Sequence, residues 1–146
     1  MQGWKRRIVY VVMFEVLGIL VASSVLGMLS GASATASGLL GVMISTTGVI
    51  VNFLYNLGFE AWERRRAETT RTVARRVVHA IGFQVALVTL LIPLIAWWLG
   101  VSLWQAFLYD AVLIVFFPIF TFAYNWSFDS VFGLPDAVTR KPEPII

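Results

Sequence analysis

Residues 8–29 read IVYVVMFEVLGILVASSVLGML, twenty-two positions with one charged side chain, Glu15, and no proline. At 1.5 Å of rise per residue, roughly 20 apolar residues carry a helix across the hydrocarbon core of a bilayer. Three more stretches are of the same kind: 38–59, 77–99 and 105–128, each 22 to 24 residues long. A soluble helical bundle needs polar faces, which these stretches lack. Helices are also the simple way to satisfy backbone polar groups where no water is available. The sequence therefore predicts an all-α integral membrane protein with four transmembrane helices.

The rest of the composition agrees. Of 146 residues, 59% are hydrophobic and 13% charged, against about a quarter charged in soluble domains. With no cysteine, a disulfide framework and a thiolate metal site are excluded, and the single histidine argues against a zinc or haem site. No cofactor and no metal is expected, and no nucleophile–base pair points to an enzyme. Lys5-Arg6-Arg7 followed by an apolar run resembles a signal peptide. The run is too long for a signal-peptide core and carries Glu15, so it reads as a retained helix.

The net charge of +3 does not indicate a nucleic-acid partner, because its placement is topological. Lys5, Arg6 and Arg7 precede the first helix. Arg64, Arg65, Arg66, Arg71, Arg75 and Arg76 separate the second from the third, and Arg140 and Lys141 follow the fourth. The other two connections carry no basic residue. The positive-inside rule puts both termini and the middle loop in the cytoplasm. Trp4 and Trp62 then mark one interface, and Trp97, Trp98, Trp104 and Tyr109 the other. The middle connection, 60–76, is expected to extend the second helix into the cytoplasm, and the Pro-containing tail to be loosely ordered.

The chain matches itself at a shift of 69 residues. Arg7-x-x-Tyr10-x-x-x-Phe14-Glu15 returns as Arg76-x-x-His79-x-x-x-Phe83-Gln84, and Tyr55-Asn56-x-x-Phe59-Glu60 as Tyr124-Asn125-x-x-Phe128-Asp129. Two-helix units enter the membrane in the same direction, so the repeat is parallel. The units are read as 1–69 and 70–138, with a tail at 139–146.

The stretch from Arg76 to Gln84, RVVHAIGFQ, and the spacing Asn52-x-x-x-Asn56-x-x-Phe59-Glu60 resemble the proteobacterial antimicrobial compound efflux family, whose members consist of two bacterial transmembrane pair domains. The resemblance covers about 6–129. It implies proton-coupled export of cationic biocides such as chlorhexidine or acriflavine, and of short diamines. It also places the family's functional acid at Glu15, its second-helix asparagine at Asn52 and its fourth-helix acid at Asp110. Many members carry a second Glu where this chain has Gln84.

Read from the residues alone, Glu15 is a carboxyl group about two turns inside a membrane helix, where a bare charge costs several kcal/mol on most scales. Such a group pairs, meets water or keeps its proton. Burial favours the neutral form of a carboxyl and a nearby cation the charged one. A proton and an organic cation can thus exclude each other from one site. The alternative is a permanently protonated Glu15 that holds two helices together in a non-transporting scaffold or regulatory subunit. Asp110 is either a second coupling or gating acid, or a dipole partner at a helix start.

Gly38, Gly41, Ser45, Gly48 and Asn52 fall on one stripe of the second helix, which suits close helix approach. The stripe is expected to bring Asn52 near Glu15 and to offer a contact for a homodimer, since four helices are few to enclose a drug pathway. Asn52, Asn56, Gln84, Thr121 and Asn125 are polar candidates for substrate binding or for helix packing. Phe14, Tyr55, Phe83 and Trp126 are candidates to line the pathway, since aromatic faces attract cations. His79 reads as a proton relay or as an interfacial, hydrogen-bonded ring. Arg7 and Arg76 stand at helix starts and Glu60 and Asp129 at helix ends, each unfavourable to the dipole, so ion pairs between these arginines and acids are expected at a cytoplasmic gate.

The orientation has a direct check. A cysteine introduced at Thr35 in the first hairpin is expected to react with a membrane-impermeant maleimide in intact cells, and one at Arg66 only after permeabilisation. The reverse pattern would invert the topology.

Overall fold

The computed structural model describes residues 2–67, 70 and 72–135. Four helices follow one another: α1 (Gly3–Ser30), α2 (Ala34–Arg64), α3 (Val73–Leu99) and α4 (Leu103–Phe132). Each is long and apolar enough to cross a membrane. At 31 residues, α2 measures about 46 Å, well beyond the hydrocarbon thickness of roughly 30 Å. It stops at Arg64, so the middle connection extends it less far than its composition suggested. Arg71, Arg140 and Lys141, and the tail with Pro142 and Pro144, lie outside the described residues.

The helix ends explain the tight hairpins. α1 closes on Gly31 at φ 69° and α3 on Gly100 at φ 65°, left-handed conformations that cost glycine little. Two residues later a serine opens the next helix: the Ser33 side chain accepts from the Ala36 N–H at 3.1 Å, and the Ser102 side chain from the Gln105 N–H at 3.1 Å. Gly31-x-Ser33 and Gly100-x-Ser102 are themselves 69 residues apart, so the repeat includes the turns. Thr72 caps α3 in the same way, accepting from the Arg75 N–H at 3.2 Å.

The helices form a ring in which α1 packs on α2, α2 on α3, α3 on α4 and α4 back on α1. The short hairpins make neighbours antiparallel, so α1 and α3 run in the same direction, as a parallel repeat requires. The hairpin end is sealed by Ala22, Leu26, Leu40, Ile44, Leu91, Ile95, Ala106 and Leu113. The Trp98 indole N–H donates to the Ala36 carbonyl at 2.9 Å across the same end. Most remaining large apolar side chains point outward, Phe122 and Trp126 among them, as expected of a surface solvated by lipid.

The glycine stripe of α2 faces inward. A methyl group placed on Gly41 would meet the Ser23 hydroxyl and lie 3.1 Å from the Ile19 carbonyl oxygen of α1. Gly41, Ser45, Gly48 and Asn52 all border the interior cavity described below. The stripe therefore serves the α1–α2 contact at Gly41 and the cavity wall from Gly41 to Asn52.

Gly41→Ala is expected to lower unfolding free energy by about 1–3 kcal/mol, because the Ile19 carbonyl cannot rotate away as a side chain can. Gly48→Ala, with nothing within 4 Å of the added carbon, is expected to stay near wild type in the same detergent unfolding series.

Candidate transport cavity

Between the hairpin-end seal and the terminal end of the ring lies a cavity of about 790 Å³ walled by all four helices. Both membrane acids reach it. Glu15 on α1 accepts a hydrogen bond from the Ser45 hydroxyl of α2. Asp110 on α4 is 2% exposed, and its Oδ2 has no hydrogen-bond partner among the described residues. Gln84, which repeats Glu15, Thr121, Asn125, Phe14 and Phe83 also border the cavity.

Several expectations need correction. The partner of Glu15 is Ser45, not Asn52, which lies seven residues along α2, about 10 Å nearer the terminal end. Antiparallel packing puts Ser45, not Asn52, at the depth of Glu15. Asp110 is no helix-start cap: Ser102 is the cap, and Asp110 lies two turns further in, where the dipole effect has faded. Trp126 does not line the cavity; it is 70% exposed on the outer face of α4. Tyr55 sits in the α2–α3 contact instead of the cavity wall, while Asn56 takes the helix-packing alternative in that same contact.

That contact and its counterpart carry the repeat into three dimensions. The Asn56 amide nitrogen donates to the Asn52 carbonyl at 2.8 Å and to the Asn52 Oδ1 at 2.9 Å. Its own Oδ1 is left to accept from the His79 Nε2 of α3 at 2.9 Å, which places the ring proton on Nε2. His79 meets Phe59 and Tyr55 edge-on, with ring centroids 4.5 and 5.1 Å apart. This is the hydrogen-bonded interfacial ring. At the equivalent place between α1 and α4, the Tyr10 hydroxyl donates to Asn125. Tyr10 meets Phe128 and Tyr124 edge-on at 5.1 and 5.2 Å, and the Tyr124 hydroxyl donates to the Tyr10 carbonyl at 2.8 Å.

The expected ion pairs form with other partners. Asp129 pairs with Arg6 at 2.5 Å, not with Arg7. Arg6, Tyr10 and Phe14 recur every four residues and share the face toward α4, whereas Arg7 is turned about 100° away and exposed. Glu60 approaches Arg64 of its own helix at 3.8 Å, and Arg76 is in neither pair. Sequence reasoning missed Arg6, Ser45 and Tyr10. The four-residue spacing of Arg6, Tyr10 and Phe14 was the available signal.

A family model described as chlorhexidine efflux transporter matches residues 2–65 and again 71–134. The chain belongs to this chlorhexidine efflux transporter family. It is similar to short-chain diamines transporters of Acinetobacter baylyi, at 32% identity over 127 residues covering 87% of this chain and 89% of the relative, and of Vibrio parahaemolyticus, at 32% over 126 residues covering 86% and 89%. A short-chain diamines transporter of Acinetobacter baumannii is 28% identical over 127 residues, 87% of this chain and 88% of the relative. No solved structure matches the chain with significance. Family membership and the four spanning helices make the chain a multi-pass membrane protein of efflux transport.

Arg6→Gln and Asp129→Asn are each expected to cost about 1 kcal/mol, at the upper end for a partly exposed pair. The Arg6→Asp, Asp129→Arg double exchange is expected to recover part of that loss. Arg7→Gln should be silent; a loss there equal to that of Arg6→Gln would contradict the pairing.

Proposed function

We propose that this protein exports cationic antimicrobial compounds, chlorhexidine- or acriflavine-like, and short diamines, across the bacterial inner membrane in exchange for protons, with both termini in the cytoplasm. The observation that carries the reading is the pair of acids, Glu15 from the first repeat and Asp110 from the second, in one cavity sealed at the hairpin end. A carboxylate in a membrane interior is stable only with a countercharge, and without one it takes a proton. Proton and organic cation are therefore alternatives at the same groups, and that exclusion is the coupling.

The remaining lining fits such cargo. A volume of about 790 Å³ falls within the usual range for small-molecule sites, roughly 300–1,000 Å³. Phe14, Phe83 and Phe117 border the cavity, and aromatic rings attract flat or delocalised cations. Asn52, Gln84, Thr121 and Asn125 supply neutral hydrogen-bonding groups. Gln84 repeats Glu15 without its charge, so Glu15 and Asp110 are the two acidic side chains that border the cavity. A homodimer is part of the proposal, since four helices are few to enclose a drug pathway.

The test is proton release on adding chlorhexidine to purified protein in weakly buffered detergent, for wild type, Glu15→Gln and Asp110→Asn. Release by wild type that is lost or reduced in the variants is the expected outcome. Chlorhexidine binding with unchanged proton occupancy in all three would overturn the exchange mechanism and favour the structural role that the Ser45 hydrogen bond to Glu15 could equally serve.

A further inference from the structure

The cavity wall is not equally covered on all sides. Among the residues that border it, Val49 and Asn52 of α2 and Pro118 and Phe122 of α4 are exposed. Val49 and Pro118 are equivalent by the 69-residue repeat, so each unit has one such opening. Val49 stands midway along α2, about 22 Å from either end. The outer surface of a spanning helix at that depth is solvated by acyl chains and not by water.

The first opening leads from the outer surface to Glu15. Four residues along a helix make one turn plus about 40°, so a stripe at that spacing winds slowly around it. On α2 the stripe Ser45, Val49, Phe53 starts at the hydroxyl that holds Glu15 and reaches Val49, 54% exposed, and Phe53, 63% exposed. On α1, Val11 and Ile8 lie one and two turns from Glu15 toward the terminal end, and both are about half exposed. Toward the hairpin end the same two helices touch: a methyl group on Gly41 would meet Ser23, and one on Gly27 would lie 3.0 Å from the Ser37 hydroxyl. The α1–α2 seam is therefore tight above Glu15 and accessible below it, with apolar walls and the acid at the inner end. On α4 the stripe Ile114, Pro118, Phe122 follows the same course along the cavity. There the repeat puts Gln84 in the place of Glu15, and Asp110 lies deeper, 2% exposed.

We infer that the α1–α2 cleft is a lateral portal through which cationic amphiphiles dissolved in the bilayer enter the cavity. The inference rests on the export function proposed above and names the route and the cargo class. A flat or apolar body leaves water for the bilayer, and the walls of Ile8, Val11, Val49 and Phe53 keep it out of water as far as Glu15. The carboxyl group at the inner end then rewards a positive charge and not a neutral solute. Gln84 at the inner end of the α3–α4 opening offers a cation no countercharge, so the repeat has kept two openings and made one of them selective.

The experiment uses the full chain in nanodiscs. The chain has no cysteine, so Val49→Cys and Ile50→Cys each offer a single thiol. Ile50 is next to Val49 and as exposed, 52% against 54%, but does not border the cavity. Each thiol is modified with a bulky methanethiosulfonate that dithiothreitol removes, and acriflavine binding is followed by stopped-flow fluorescence. The adduct on Val49→Cys is expected to slow association and release by about ten-fold each and to leave Kd nearly unchanged, with both rates restored by dithiothreitol. The adduct on Ile50→Cys is expected to change either rate by less than about two-fold. Unchanged rates at Val49→Cys, equal slowing at both positions, or a thiol at Val49→Cys that fails to react where Ile50→Cys reacts would each overturn the portal. So would a weaker Kd with faster release, which would put the adduct in the cavity and not at its entrance. Absence of acriflavine binding by the unmodified protein is a different result, because it would overturn the export function and the portal with it.

Discussion

A carboxyl group inside a bilayer has three refuges: a hydrogen bond, a cation or a proton. Much of this molecule is arranged around two such groups. Glu15 takes the first refuge from Ser45, which is available because α1 and α2 approach closely where Gly41 has no side chain. Asp110 has an oxygen without a hydrogen-bond partner among the described residues, and it faces a cavity in place of a neighbouring helix. The hairpin-end core closes that cavity on one side with apolar side chains. Each helix of the ring packs chiefly on its two neighbours, and the cavity occupies the space between them. The acids, the small residues and the seal are parts of one solution to the cost of charge in hydrocarbon.

Duplication supplies the frame, and divergence supplies the two acids of the cavity. The terminal-end contacts keep the repeat in hydrogen bonds and in rings, His79 with Asn56 on one side and Tyr10 with Asn125 on the other. The hairpin turns keep it in backbone conformation, glycine then serine. The cavity does not keep it. Gly41 becomes Asp110 and Glu15 becomes Gln84, so each repeat brings one acid at a different depth. The ion pairs do not keep it either: Glu60 meets Arg64 on its own helix, at the position where the second unit has Gly133, whereas Asp129 meets Arg6 of α1. A symmetric shell around an asymmetric interior lets one architecture hold two chemically distinct acid sites.

The architecture was legible in the sequence because it rests on local quantities. The length of an apolar run and the sum of its transfer energies decide whether a helix spans a membrane, and neither depends on a neighbour. The 69-residue repeat was legible for the same reason, since identity at a fixed shift needs no coordinates. Glu15 and Asp110 stood out because a charged residue in such a run is costly wherever the helix packs. What the sequence left open was rotation and depth. Arg6 and Arg7 are adjacent and alike, and only the face that α1 turns to α4 chooses between them. Asn52 and Ser45 share one stripe, and only the antiparallel register sets Ser45 beside Glu15. Trp126 and Phe14 are both membrane aromatics, yet one faces lipid and the other the cavity. Partner choice depends on angles of about 100° per residue and on shifts of a single turn, which are settled by packing between helices and not within one.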